Sequence, residues 1–339
     1  MKIQCCLLAL VLAAVPSSNQ DPLDLEQARD LVMKFERGLH GESAEVRARE
    51  LATHFRNARS PEHQLAALEM ITGRYVSLVP EASVPGLIEP LLREARLDVR
   101  VAAIAGIGRI ENGWREPSNE FADLVLEIHE RCIEAGYVEL QEEVLLQMGM
   151  LGADEYFVPL KRALGNENAK LRARAASGYG RWLAAQAGTI SKLLDDPDPD
   201  VRRSALHAIS YAAPGQHTMA IVRGSRDADF RVRAAAVSAW ESWGHPSVEG
   251  HLAQALEDES AQVAGPAARA LSQLGARDYT ANVARLLETS DVVVLRYAIE
   301  ALSYLGDESH LARVEGFLDH EDRQVRERAG EALNRLRVR

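Results

Sequence analysis

His129, Glu130 and Cys132 stand within four residues of one another and are of the types that ligate zinc or carry nucleophilic chemistry. Their spacing argues against a closed site. Adjacent residues of a helix diverge by about 100°, so His129 and Glu130 cannot share a face. His129 and Cys132 can, but two ligands do not complete a tetrahedral zinc site. The expected state is an inert, partly buried thiol beside a surface histidine. His245 and His251 flank a turn (HPSVEGH) without a repeated carboxylate–histidine pattern around them. Gly-rich phosphate loops, nucleophile elbows and haem-attachment motifs are missing from the sequence. Gly178–Tyr179–Gly180 falls inside a helical pattern, where close packing explains it better than a ligand cradle. Trp182, Trp240 and Trp243 take apolar positions and are expected in the core. Trp114 and Arg115 do not: they stand in an irregular stretch, with the composition of an interface anchor.

The elements that must position these residues follow from a repeat. Segments beginning at Val201, Val232, Val263, Val294 and Val325 are spaced 31 residues apart. Each carries Ala four and seven places on, from Ala205 and Ala208 through to Ala329 and Ala332. A large residue follows: Ile209, Trp240, Leu271, Leu302 and Leu333. Apolar residues at i, i+4, i+7 and i+8 form one stripe of an α-helix, not the alternation of a strand. Three places before each valine stand Asp198, Asp229, Ser260, Asp291 and Asp322, all good N-caps. Gly244, Gly275 and Gly306 stand where helices stop, and Pro214 does so in the first copy. A shorter apolar set (Ile190, Ile221, Leu252, Val283, Val314) precedes each cap, so every unit is a short helix A, a turn and a helix B. Arg202, Arg233 and Arg326, beside the caps, are expected to form a structural ladder between repeats.

Upstream the phase survives with drifting spacing. Leu171 has Asn168 as its cap, Leu140 has Gly152 as its stop, and Val99, Ser60 and Ser43 mark earlier helices. The count is about nine helix pairs from Ser43 to Leu336, after a leading helix from about Asp24 to Leu39. Val79–Val84 and Glu111–Ser118 interrupt the period and are expected loops. Such units cannot bury their apolar faces alone and must stack. The predicted fold is therefore all-α, a right-handed α–α superhelix. Residues 19–42 form a linker and capping helix, 43–186 the irregular repeats, and 187–339 the regular ones with a charged C-terminal cap. On helix B, the row six places after each start reads His207, Ser238, Arg269, Glu300 and Glu331. Arg203, Tyr297 and Arg328 lie two or three places after a start. This varied row is the candidate partner surface, with Trp114 and Arg115 as an outlying anchor.

With 39 basic against 50 acidic residues the net charge is −11, which disfavours nucleic acid and anionic lipid. At the N-terminus, Lys2 precedes an apolar run of eleven residues, Cys5–Val15, broken by Pro16, Ser17 and Ser18. This is the pattern of a signal peptide over residues 1–18, cleaved near Ser17. The run falls short of the ~20 residues that span a bilayer, so no stable membrane insertion is expected after cleavage. Only Cys132 would remain, which excludes an intrachain disulfide.

The pattern D-x-x-V-R-x-x-A-x-x-A-L on a ~30-residue helix pair resembles the HEAT-like repeats first recognised in phycobilin lyases. The resemblance covers most of the chain and is best from Thr189 onward. It implies a HEAT-like solenoid that binds another protein or peptide, and its relatives also include bilin lyase subunits and deoxyhypusine hydroxylase. The hydroxylase would need His-Glu pairs early in helix B. The matching positions hold Arg203–Ser204, Ala234–Ala235, Gly265–Pro266, Arg296–Tyr297 and Glu327–Arg328. The two His-Glu dipeptides present, His129–Glu130 and His320–Glu321, lie elsewhere. The expectation is an exported, non-catalytic scaffold without cofactor.

Overall fold

A computed structural model describes residues 25–57, 63–64, 66–67, 97, 100–101, 103–104, 119–183, 187–210 and 217–337. The expected leader, the interruptions at 79–84 and 111–118, Trp114, Arg115 and Pro214 lie outside the described residues. Among the described residues every regular element is a helix. No helix is long and apolar enough to cross a membrane. The chain divides into two compact units, Met1–Gly178 and Tyr179–Arg339.

In the first unit, α1 (Leu25–Gly38) is followed by α2 (Ala44–Asn57), where the Ser43 hydroxyl accepts from the Val46 amide at 3.3 Å. The Phe35 and His54 rings stack at 4.2 Å between the two helices. Further on, α3 (Asn119–Glu134) pairs with α4 (Val138–Leu151), and α5 (Phe157–Ala163) leads into α6 (Ala169–Gly178). Gly152 ends α4 in the left-handed region at φ 65°, its amide donating to the Met148 carbonyl. Asn168 caps α6 by accepting from the Lys170 amide at 2.9 Å. Helices α4 and α6 touch backbone to backbone. A Cβ on Gly149 would fall 2.1 Å from the Cα of Gly178, so both positions exclude any side chain.

The second unit opens with α7 (Gly180–Leu183) and α8 (Ala187–Leu194). The long B helices are α9 (Pro199–Ser210), α11 (Phe230–Trp243), α13 (Ala261–Leu274), α15 (Val292–Leu305) and α17 (Arg323–Leu336). Between them run the short A helices α10 (Thr218–Gly224), α12 (Glu249–Ala255), α14 (Thr280–Arg285) and α16 (Leu311–Glu315). Each B helix packs on the next B helix and on the A helix before it. The valine, the two alanine and the large-residue rows are buried in all five copies. The small alanines admit the neighbouring helix closely, and the large row fills the layer between. The helix A row is buried at Ile221, Leu252, Val283 and Val314.

The caps act as their spacing implies: Asp229 accepts from Arg231, Ser260 from Gln262, Asp291 from Val293 and Val294, and Asp322 from Val325. Gly244 and Gly275 stop their helices at φ 57° and 69°. Gly306 does not; it is extended at φ −70°, ψ 173°. Its glycine serves close approach instead, because a Cβ would lie 2.6 Å from the Leu302 carbonyl oxygen and 3.2 Å from the Leu336 side chain.

The helix expected to run on from Leu171 is broken at Tyr179, between α6 and α7. Gly180 approaches α9, where an added Cβ would meet Ala208 at 3.3 Å. Close packing is thus what the two glycines provide.

Candidate functional site: a groove on the last three B helices

Two of the three arginines that follow a starting valine, Arg202 and Arg233, build the ladder, and their acceptor is not the N-cap. Arg202 donates through Nε and Nη2 to Asp227 at 2.7 Å each, and through Nη1 to the carbonyls of Asp196 and Pro197. Arg233 does the same to Asp258 at 2.6 and 2.9 Å, and to the carbonyls of Asp227 and Ala228. The acceptors, 25 residues on, stand two places before the next N-cap. There they also take the amide of the cap residue itself: Asp227 from Asp229, and Asp258 from Ser260. One carboxylate therefore ties a turn to its own helix and to the preceding repeat. These pairs are only 11–15% exposed, so their charge is spent on structure. Arg326, in the last copy, holds the carbonyls of His320 and Glu321 in its own turn. The 31-residue recurrence of D-x-D and D-x-S was the available sign of these acceptors.

A second ladder lies on the exposed row. Arg269 makes a two-pronged pair with Glu241 at 2.9 and 2.9 Å, and Arg328 lies 3.9 Å from Glu300, both 28 residues apart. The hydrogen bonds that Arg269 donates to Glu241 raise its pKa. The Arg269 guanidinium also sits 5.7 Å from the centre of the Tyr297 ring, in cation–π contact. Tyr297 can lie there because residue 265 is glycine: a Cβ at that position would stand 2.4 Å from the ring. Pro266, the next residue, is inside α13 and leaves its helical hydrogen bond unmade.

These contacts bound a groove of about 590 Å³ across α13, α15 and α17. Arg269, Arg296, Tyr297, Glu300 and Arg328 line it, with Val293 39% exposed at its edge. Five of the sequence-selected residues, Arg269, Tyr297, Glu300, Arg328 and Glu331, are thus brought together. Arg203 and His207 are not. They share α9, where Arg203 pairs with Asp200 at 3.2 Å. Partial burial, and then the Arg203 charge, lower the His207 pKa. Arg296, at the same register as the selected Arg203, and Val293 also line the groove and were not selected from the sequence.

A second depression of about 540 Å³ lies where α8 and α10 adjoin, with Met219 at its rim. Arg223 closes on Asp195 and Arg202 on Asp227 there, leaving those charges mutually satisfied.

The histidine expected at the surface near Cys132 is buried. His129 is 1% exposed and neither ring nitrogen has a hydrogen-bond partner among the described residues. The reason is register: Ile128, His129 and Cys132 all fall on the face that α3 turns inward, while Glu130 points out to Arg162 at 2.8 Å. Burial drives the His129 pKa down to about 4, opposed by Glu130 and reinforced by Arg162. Burial likewise pushes the Cys132 thiol up to about 12, against the pull of Arg100, so it is not a nucleophile at neutral pH. Among the described residues no three His, Cys, Asp or Glu side chains converge as a metal site would require. His245 caps a turn by accepting from the Ser247 amide at 3.2 Å, and His251 stacks on Trp240 at 5.0 Å. Trp240 and Trp243 are core, while Trp182 is half-buried.

Residues 248–334 match the family of HEAT repeats. This part of the chain is built of HEAT repeats. The matched span takes in the B helices α13, α15 and α17 that bound the groove. Comparison with curated protein sequences finds no match. Among solved structures, an engineered protein is similar over 98% of this chain and 99% of its own, at 16% identity and a TM-score of 0.41. The YIBA protein of E. coli is similar over 95% of this chain and 99% of its own, at 15% identity and a TM-score of 0.44. Human deoxyhypusine hydroxylase is similar over 89% of this chain and all of its own, at 16% identity and a TM-score of 0.33. These likenesses concern the arrangement of helices alone.

Proposed function

We propose that this HEAT-like repeat protein is an exported, non-catalytic scaffold that binds another protein or peptide along the exposed face of its B helices. The groove over α13, α15 and α17 supports this reading most directly: it is preformed and mixes an exposed apolar edge, an aromatic ring and charges of both signs. Such surfaces bind by complementarity without a large ordering cost. Export rests on Lys2 and the apolar run Cys5–Val15. The reading without catalysis rests on the five early helix-B positions, none of which carries His-Glu.

The test is capture by crosslinking from the exported fraction, using the full chain and a Tyr297→Ala, Arg269→Glu double variant. A partner crosslinked to the first and lost with the second supports the reading. No partner, or one retained by the variant, counts against this face. Metal analysis of the purified protein checks the alternative of a lyase- or hydroxylase-related enzyme, since stoichiometric iron or zinc would overturn the scaffold reading.

A further inference from the structure

Arginines line the groove from all three of its helices, and they differ in what satisfies them. Arg269 is held by Glu241 through two hydrogen bonds, and Arg328 lies between Glu300 and Glu331 at 3.9 and 3.3 Å. The remaining carboxylate, Glu327, accepts from Arg323 at 2.7 Å on its own helix. Arg296 is half-buried in the middle of the row and makes no ion pair with any described residue. It shares the exposed side of α15 with Val293, three residues earlier, and with Tyr297 beside it. Every groove carboxylate within reach of a cation is already engaged, and one guanidinium is not.

We propose that Arg296 is the anchor for an Asp or Glu side chain of an extended partner segment crossing α13, α15 and α17, with a neighbouring apolar side chain on Val293 and Tyr297. A carboxylate suits the site because the planar guanidinium presents paired N–H donors that match its two oxygens. A segment running through is favoured over a chain end. The groove spans three consecutive helices, each roughly 8–10 Å from the next, and an extended strand covers that distance in about three residues per helix. This inference rests on the peptide-binding reading above and names its chemistry.

The test is selection of random dodecapeptides on the full chain, followed by fluorescence anisotropy with synthetic, C-terminally amidated versions of the selected sequences. Binding is measured to the wild type, to Arg296→Gln and Arg296→Glu, and to Lys192→Gln as an exposed control on α8. The expected result is recurrent Asp or Glu beside an apolar residue. Arg296→Gln then weakens binding about tenfold, Arg296→Glu weakens it further, and the control leaves it unchanged. Replacing the peptide acid by its amide costs the wild type the same factor and costs Arg296→Gln nothing more. Because Arg296 holds no ion pair, the thermal midpoint of the variants stays at the wild-type value.

Selected peptides without an acidic residue, affinity indifferent to Arg296→Gln, or a need for the free C-terminus would each overturn the anchor while leaving peptide binding in place. Equal displacement by a single-stranded oligonucleotide would overturn it too. Failure to select any peptide removes the binding reading and the anchor together.

Discussion

The two units differ in how regularly their charged groups are paired. In the second, the arginines and aspartates near the turns are matched: Arg202 and Arg233 each satisfy one carboxylate and two carbonyls. In the first, polar atoms at His129, Tyr156, Gln147 and Glu142 are buried without hydrogen-bond partners among the described residues. The strict period explains the difference. A fixed repeat places donor and acceptor at the same offset in each copy, so one good pairing is reused. Drifting spacing leaves each buried polar side chain to a neighbourhood of its own. The first unit therefore carries uncompensated desolvation at His129, and its stability should fall as pH drops below neutrality.

The largest expected effect would break the matched side. Arg233→Ala removes the charge partner of the largely buried Asp258 carboxylate and the donor to two turn carbonyls, and should cost about 3–5 kcal/mol, read as a lowered denaturant midpoint. A loss below about 1 kcal/mol would show that the ladder is surface decoration.

His129 tests the unmatched side with a comparable magnitude. Its folded pKa of about 4 lies below the ordinary value of 6.5. The neutral ring is the folded form, and the unfolded chain takes up a proton first as pH falls. The wild type should therefore lose about 3 kcal/mol between pH 7 and pH 4 that His129→Leu does not lose. Parallel stability profiles for the two proteins would show that His129 is not buried as described.

Packing in the second unit comes next. Ala267 is fully buried, and Ala267→Leu should destabilise by about 1–3 kcal/mol through overpacking. An unchanged thermal midpoint would mean that the alanine row does not face the next helix. The smallest effect is expected at a cap: Asp229→Ala removes the acceptor of the Arg231 amide and should cost about 1 kcal/mol. Arg231 also holds the Asp229 carboxyl down at about 2, so the wild-type advantage should be full above the ordinary value of 3.8 and disappear as pH falls through 2. Hydrogen exchange at the start of α11 would register this change where a melting curve could miss it.

Much of the fold was legible because its determinants are local and recur. N-caps two or three residues from the amides they satisfy, alanines at helical spacing and stop glycines can all be read along the chain. The exposed row was legible as a row, and it yielded Arg269, Tyr297, Glu300, Arg328 and Glu331. It did not reveal which of its charges are spent.

The amino-acid sequence alone determined the helix phase, the caps, the buried rows and the need to stack, since each depends on residues within one or two turns. Only the tertiary structure decided that Asp227 and Asp258, rather than the caps, receive the ladder arginines. It also turned His129 inward, set Tyr297 against the glycine at 265 and left Arg296 without an anion. Those outcomes depend on side chains of neighbouring repeats meeting at distances of a few ångströms. Side-chain length and helix rotation set that scale, and the residue period does not.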